Sequence, residues 1–286
     1  MNLNKIRVEE ILKKFLEEDC YFNDISSEVI PENSLNTAKI ISKSSGYISG
    51  LEEATVLFKL LNIKIILHKK DGEKIKSGDI ILRLEGNTRN ILLGERLALN
   101  LLTHMSAITT TTKKFLDIIH NSGKKIILSC TRKTLPGLRI FQKKAVHIGG
   151  GDTHRFSLDD MVLLKDTHLK YYDGNIEKIL KVTRQKVSYS KKIEIEIEKV
   201  EDIIIAAKNG ADIIMCDNMT PENVKKSIEL LEQSNLRKNK NILVEVSGGI
   251  TLDNIHEYLD SSPDIISVGD ITSFPSTKID LSLRFD

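Results

Sequence analysis

From Lys124 onward, short apolar stretches recur between segments of helical spacing: KIILSC, MVLLK, IEIEIE, DIIMCD, ILVEVSG and DIISVG. Helical patterns such as GNIEKILKVTRQKV, VEDIIIAAKNG and TPENVKKSIELLEQS lie between them. Parallel strands need a crossover long enough to carry the chain back to the same end of the sheet, so this alternation reads as βα units. Six such strands predict an α/β fold in the form of an incomplete or six-stranded barrel, not the usual eight-stranded one. Barrels of this kind collect chemistry at the C-terminal ends of their strands. Those ends carry, in order, Arg132 and Lys133, Lys165, Glu196, Asp217, Ser247 with Gly248 and Gly249, and Gly269.

The earlier part is organised differently. Residues 5 to 18 space their apolar positions like a helix, NTAKIISKSSGYISG alternates like a strand ending at a glycine turn, and LEEATVLFKLLN is again helical. The following IKIILHKKDGEKIKSGDIILRLEGN breaks into short strands at Asp71-Gly72 and Ser77-Gly78, and a long helical pattern runs from about Asn90 to Ile119. This predicts a small domain of mixed helices and antiparallel strands.

Composition sets limits. A chain of 286 residues, 40% hydrophobic and 29% charged, buries a good core. A net charge of +2 gives no general bias toward nucleic acid or acidic membranes, so any basic site is local. The first segment, MNLNKIRVEEILKKFLEED, carries charges throughout, unlike a secretory signal, and reads as an amphipathic helix of a cytoplasmic protein. Cys20, Cys130 and Cys216 are far apart with no CxxC spacing, which predicts reduced thiols and no zinc site.

Between Cys130 and His168 there are seven Lys or Arg and three His against four Asp. Arg139, Lys143 and Lys144 read as an exposed helix face. Arg132, Lys133, His154, Arg155 and Lys165 flank strand ends or the glycine run GGGDTHR. Two cations about 8 Å apart repel by roughly 2 kcal/mol at an effective dielectric of 20, so this grouping expects a multiply anionic ligand. Arginine forks suit carboxylates and lysines serve phosphates as point charges. The three glycines are expected to let the backbone take positive φ and approach that ligand closely. Glycines after two neighbouring strands, in EVSGGI and SVGD, stand where barrels often hold a phosphate. Glu196 and Asp217 are the carboxylates for Mg²⁺ or ribose hydroxyls. Glu194 and Glu198, on the same strand face as Glu196, read as solvated.

In order, TRKTLPGLR, GGGDTHR, LKDTH, IEIEIE, IIMCDNM, VSGGIT and ISVGDIT, with GERLALNLLTHMSAI upstream, make the chain resemble the quinolinate phosphoribosyltransferase family. The resemblance covers nearly the whole length. It implies an N-terminal α/β sandwich (1–112), an open six- or seven-stranded α/β barrel (113–274) and a C-terminal return segment to the first domain (275–286). The implied reaction joins quinolinate to the phosphoribosyl group of PRPP and releases pyrophosphate and CO₂, giving nicotinate mononucleotide for NAD synthesis.

The resemblance further implies that Arg132, His154 and Arg155 hold the quinolinate carboxylates and that Lys133 and Lys165 lie between quinolinate and PRPP. Arg96 would enter from a partner subunit, which implies a homodimer with shared sites or a hexamer built of dimers. Glu196 and Asp217 would face ribose and Mg²⁺-pyrophosphate; Ser247, Gly248, Gly249, Ser267, Val268 and Gly269 would bind the 5-phosphate. Thr153, Thr167, Cys130 and Lys144 depart from residues common in the family without removing any of these ligands. Two alternatives stay open: a related phosphoribosyltransferase group found beside molybdate-transport genes, with another acceptor, and a catalytically silent sensor of PRPP or pyridine nucleotides. A Schiff-base barrel using Lys133 or Lys165 is a third class.

Overall fold

The computed structural model describes residue 1 and residues 3–286. In chain order its strands are β1 (Leu35–Ser42), β2 (Gly46–Tyr47), β3 (Lys64–Leu67), β4 (Lys74–Ile75), β5 (Ile80–Asn87), β6 (Ile127–Cys130), β7 (Val162–Leu164), β8 (Ile193–Ile197), β9 (Ile213–Asp217), β10 (Leu243–Ser247), β11 (Ile265–Val268) and β12 (Leu281–Phe285). The chain divides into two compact units, one of Met1–Thr112, Pro136–Gly150 and Phe274–Asp286, the other of Lys113–Leu135 and Gly151–Ser273. The segment 136–150, placed with the barrel on sequence, thus groups with the first unit.

In the first unit an antiparallel sheet has the order β12-β1-β5-β3, with Ala38 opposite Phe285 and Leu84. Leu12, Phe58, Ile40, Leu82, Leu84 and Leu102 are fully buried in its core. The C-terminal strand closes this sheet, so the last residues contribute main-chain pairing that no local pattern announces.

The helix Arg139–Gly149 also belongs here, and it corrects the solvated reading of its lysines. Lys143 is 0% exposed and Lys144 3%. Lys144 Nζ meets Glu52 Oε2 at 2.5 Å and Glu53 Oε1 at 2.8 Å. The glycine run is corrected as well. Gly149 lies where a Cβ would stand 2.7 Å from Thr112 Cβ, and Gly150 caps the helix in the left-handed region at φ +98°. These two glycines serve close helix packing and helix termination, a steric task that needs no ligand.

The second unit holds the parallel sheet β6-β11-β10-β9-β8-β7. Every residue of β8 and of β11 is buried, as expected for parallel strands covered on both faces. The helices that cover it are locally encoded. Pro221–Gln233 has Thr220 as its N-cap and Pro221 in its first turn, and it buries Val224, Ile228 and Leu231. Ile176–Lys186 is capped by Asn175 and buries Ile176, Ile179 and Leu180.

The sheet does not close by pairing β6 with β7. Asp152 forms a parallel bridge with Ser129 on the free edge of β6, its N–H donating to Leu128 O at 2.8 Å and its carbonyl accepting from Cys130 N at 3.2 Å. Arg155 Nη1 then donates to Met161 O at 3.1 Å, just before β7. The segment 152–155 therefore straps the open side of the barrel, which reconciles six strands with a nearly complete wall. Among the described residues, no helix is long and apolar enough to cross a membrane.

Candidate active site

The strap and the strand ends bring the cations to one rim. After β6 the chain turns tightly, with Thr134 N donating to Arg132 O at 2.9 Å and Lys133 N to Thr131 Oγ1 at 3.0 Å. The Lys133 carbonyl accepts from Thr272 Oγ1 at 2.7 Å and also from Ser273 Oγ. This pins the turn beneath Gly269, where a Cβ would lie 3.1 Å from Lys133 Cδ. Arg132 Nε is buried without a hydrogen-bond partner, a donor held ready for an acceptor.

Arg155 is 8% exposed. Desolvation, together with the like charge of Arg132, lowers its pKa, while Glu194, Glu196 and Asp160 oppose the shift. A guanidinium stays charged regardless, so the rim holds two arginines whose mutual repulsion is offset in part by Glu194, Glu196 and Asp160.

Lys165 follows β7 and starts the helix Asp166–Tyr171; its N–H donates to His168 Nδ1 at 2.9 Å. Its ammonium reaches across to Glu196 Oε1 on β8. Burial raises the Glu196 carboxyl above its ordinary pKa and Lys165 opposes this. At the end of β9, burial also raises Asp217, against Lys165, Asn218 and Lys133. Lysine and carboxylate therefore interleave along the rim from β7 to β9. Glu196 is buried and Asp217 partly exposed, and each carboxyl has Lys165 near enough to oppose the effect of burial.

After β10, Gly248 takes φ +101° and a Cβ there would lie 2.2 Å from Asn218 Oδ1. Asn218 is itself left-handed at φ 53°, with its N–H donating to Ser247 O at 2.9 Å and its Nδ2 to Asp217 Oδ2 at 2.8 Å. Gly248 is thus required by Asn218, which orients Asp217. Gly249, at φ +62°, faces open space and leaves backbone accessible at the rim.

Two sequence-based readings change. Ser267 is 3% exposed and its hydroxyl donates to Glu245 Oε1 inside the barrel, and Val268 is 1% exposed, so only their backbone remains for a phosphate. Glu194 is 0% exposed, not solvated; its side chain turns into the barrel and accepts from His154 Nε2 at 2.9 Å. Glu245, absent from the sequence-based site, lies 3.8 Å from the same ring nitrogen. The signal for both was a glutamate inside an apolar strand whose helices cover it on the other face. His154, Glu194 and Glu245 each place a ligand atom within 4.8 Å of the others, the spacing of a possible metal set. The direct His154–Glu194 contact already satisfies the ring as a hydrogen-bonded pair.

Desolvation pulls the His154 pKa down, but Glu194, with Glu245 and Asp152, outweighs it and leaves the imidazole above its ordinary value. Burial, reinforced by the charge of Glu194 and opposed by Ser267 and His154, pushes Glu245 up to about 8. Its ordinary value is 4.5. Because the folded value is the higher one, protonation of Glu245 favours the fold below about pH 4.5, and that contribution disappears as pH rises through about 8. Glu245→Gln, which keeps the shape and cannot ionise, is expected to flatten the fall in stability between pH 5 and 8.5 by a few kcal/mol, since one proton bound or lost across a pH interval is worth about 1.4 kcal/mol for every pH unit crossed. Denaturant midpoints of both proteins across that range check this; parallel curves would contradict it.

Arg96, by contrast, is exposed on the long helix Thr88–Asn121, with no ion pair among the described residues. A groove of about 1110 Å³ belongs to the first unit, where acids and bases such as Lys5, Glu9, Glu52 and Lys69 line it together. The strand-end chemistry is in the second.

A parallel α/β barrel whose strand ends carry Arg132, Lys133, Lys165, Glu196 and Asp217 has its charged groups where enzymes of this architecture place their chemistry. Residues 19–106 match the N-terminal domain model of quinolinate phosphoribosyl transferase and residues 108–284 the C-terminal domain model. The chain is 41% identical over 276 residues to a probable carboxylating nicotinate-nucleotide pyrophosphorylase of Methanothermobacter thermautotrophicus, covering 96% of this chain and 98% of that one. It is 46% identical over 247 residues to a protein of the same description from Archaeoglobus fulgidus, covering 86% and 93%. Its structure is similar to that of the nicotinate-nucleotide pyrophosphorylase from Francisella tularensis, with TM-score 0.89, 32% identity and 100% and 98% coverage. The chain belongs to the quinolinate phosphoribosyltransferase family.

Proposed function

We propose that this chain transfers the phosphoribosyl group of PRPP to the ring nitrogen of quinolinate. The products are nicotinate mononucleotide, pyrophosphate and CO₂, made in the cytoplasm for NAD synthesis. The observation that carries the reading is the convergence of Arg132, Lys133, His154, Arg155 and Lys165 with Glu196 and Asp217 on one rim, in a chain of this family.

Arg132, His154 and Arg155 pair with the two carboxylates of the flat acceptor. Lys133 and Lys165 stand between acceptor and PRPP, and the turns at Ser247, Gly248, Gly249 and Gly269, with the backbone of Ser267 and Val268, receive the 5-phosphate. Glu196 and Asp217 would face an Mg²⁺ brought in by PRPP, which would supply neutralisation of charge on the leaving pyrophosphate. As pyrophosphate departs, the pyridine nitrogen bonds to the ribosyl carbon and becomes a pyridinium. The 2-carboxylate leaves as CO₂, its bonding electrons pass to the adjacent ring carbon beside the cationic nitrogen, and that carbon takes up a proton. Charge separation throughout calls for fixed charges and positioning and for little acid–base work.

Arg96 completes the site from the partner subunit of a homodimer, and dimers can assemble further into hexamers. The test is release of labelled CO₂ from quinolinate labelled in its 2-carboxylate, with and without PRPP and Mg²⁺. PRPP-dependent release with nicotinate mononucleotide formed is expected; release of pyrophosphate only with another acceptor would overturn the substrate. Mixing inactive Arg96→Ala with inactive Lys133→Ala subunits is expected to restore part of that release through hybrid dimers. Silence in verified hybrids would remove the shared site.

A further inference from the structure

Beneath the rim, the barrel interior carries more charge than packing requires. Glu194 is 0% exposed and Glu245 1%, and Glu194 Oε1 and Glu245 Oε2 have no hydrogen-bond partner. Apolar side chains of similar volume would be more stable in such positions, because buried carboxylates lose hydration that a single contact does not restore. What the pair does supply is a fixed seat for one imidazole. The His154 backbone is held on both sides, its N–H donating to Asp152 Oδ1 at 2.8 Å and its carbonyl accepting from Ser129 Oγ at 3.2 Å. The ring is then held by Glu194 Oε2 at 2.9 Å from Nε2. Ser267, donating to Glu245 Oε1, holds the second carboxyl in place behind it.

With Nε2 occupied from below, Nδ1 is the ring nitrogen available to a ligand above. A neutral imidazole whose single proton sits on Nε2 would turn a lone pair toward an incoming carboxylate. A ring between two carboxylates must donate from both nitrogens. We propose that Glu194, backed by Glu245 and Ser267, is a positioning residue: it holds His154 as a doubly protonated donor whose Nδ1–H meets a carboxylate of the acceptor. Glu194 acts only through His154 and touches no substrate. The inference rests on the reading that His154 binds quinolinate.

The experiment is a double-mutant cycle of Glu194→Gln and His154→Ala, reading quinolinate KM, kcat and PRPP affinity measured calorimetrically without quinolinate. Glu194→Gln is expected to raise quinolinate KM at least tenfold with PRPP affinity unchanged, and to add no further increase in the His154→Ala background, since interacting residues are not additive. A rise in quinolinate KM with His154→Ala but none with Glu194→Gln, or additive effects, would overturn the inference and leave the site reading standing. No change with His154→Ala would overturn the site reading and the inference with it. Nitrogen NMR of the wild-type His154 ring at neutral pH, with quinolinate bound, needs no variant: two protonated ring nitrogens are expected, and a bare nitrogen on either side refutes the proposal.

Discussion

Replacing Lys165 by methionine is expected to lower kcat/KM about 100- to 1,000-fold while the protein stays folded, the range typical for loss of one preorganised charged group at a reacting centre. Lys165 is 44% exposed at its side chain and Glu196 8%, so the pair contributes little to stability and its removal is felt at the site. Without the ammonium, burial and the charge of Asp217 are opposed only by the Asp166 backbone N–H, and the Glu196 carboxyl moves toward its neutral form. Asp217 loses its largest opposing charge at the same time. Lys165→Arg is expected to recover only part of the rate, since a planar fork does not fit where a compact ammonium stood. Initial rates of pyrophosphate release over both substrates decide this; a loss smaller than fivefold would remove Lys165 from the reacting centre.

Replacing Lys144 by methionine is expected to destabilise the protein by about 3–5 kcal/mol, the usual result of breaking a buried pair from one side. That corresponds to roughly 10 °C in thermal midpoint for a chain of this size. The effect comes through Glu53, whose side chain is 1% exposed, and not through Glu52, which is 69% exposed and can turn to water. Burial already raises the Glu53 carboxyl, with Lys144 opposing, so the variant's deficit grows as pH rises and Glu53 must ionise without a partner. The double variant Lys144→Met with Glu53→Gln is expected to regain most of the loss. Equal instability of single and double variants in calorimetric scans would show that packing, and not charge, is at stake.

The two substitutions separate what local pattern reveals from what it hides. Lys165 was legible because it follows an apolar strand directly, and strand ends of a parallel barrel share one rim. Lys144 was not, because helical spacing gives the face of a helix but not what lies against it. Glu52 and Glu53 are 91 or more positions away in the chain. The same distance problem hid Glu245, which looked like an ordinary strand residue, and the inward partner of Ser267, which the resemblance assigned to the 5-phosphate: the register of β10 with β11, pairing Glu245 with Ile265 and Ser247 with Ser267, makes them diagonal neighbours on one face of the sheet.

By itself, then, the sequence determined the six parallel strands, the helices between them and the residues at the strand ends, since apolar period, capping residues and βα spacing are local properties. Only the tertiary structure decided which glutamates point inward, how segment 152–155 straps the gap between β6 and β7, and that Gly149 and Gly150 end a helix instead of cradling a ligand. Those outcomes depend on contacts between segments distant in the chain, where burial and charge pairing are settled by what each side chain meets.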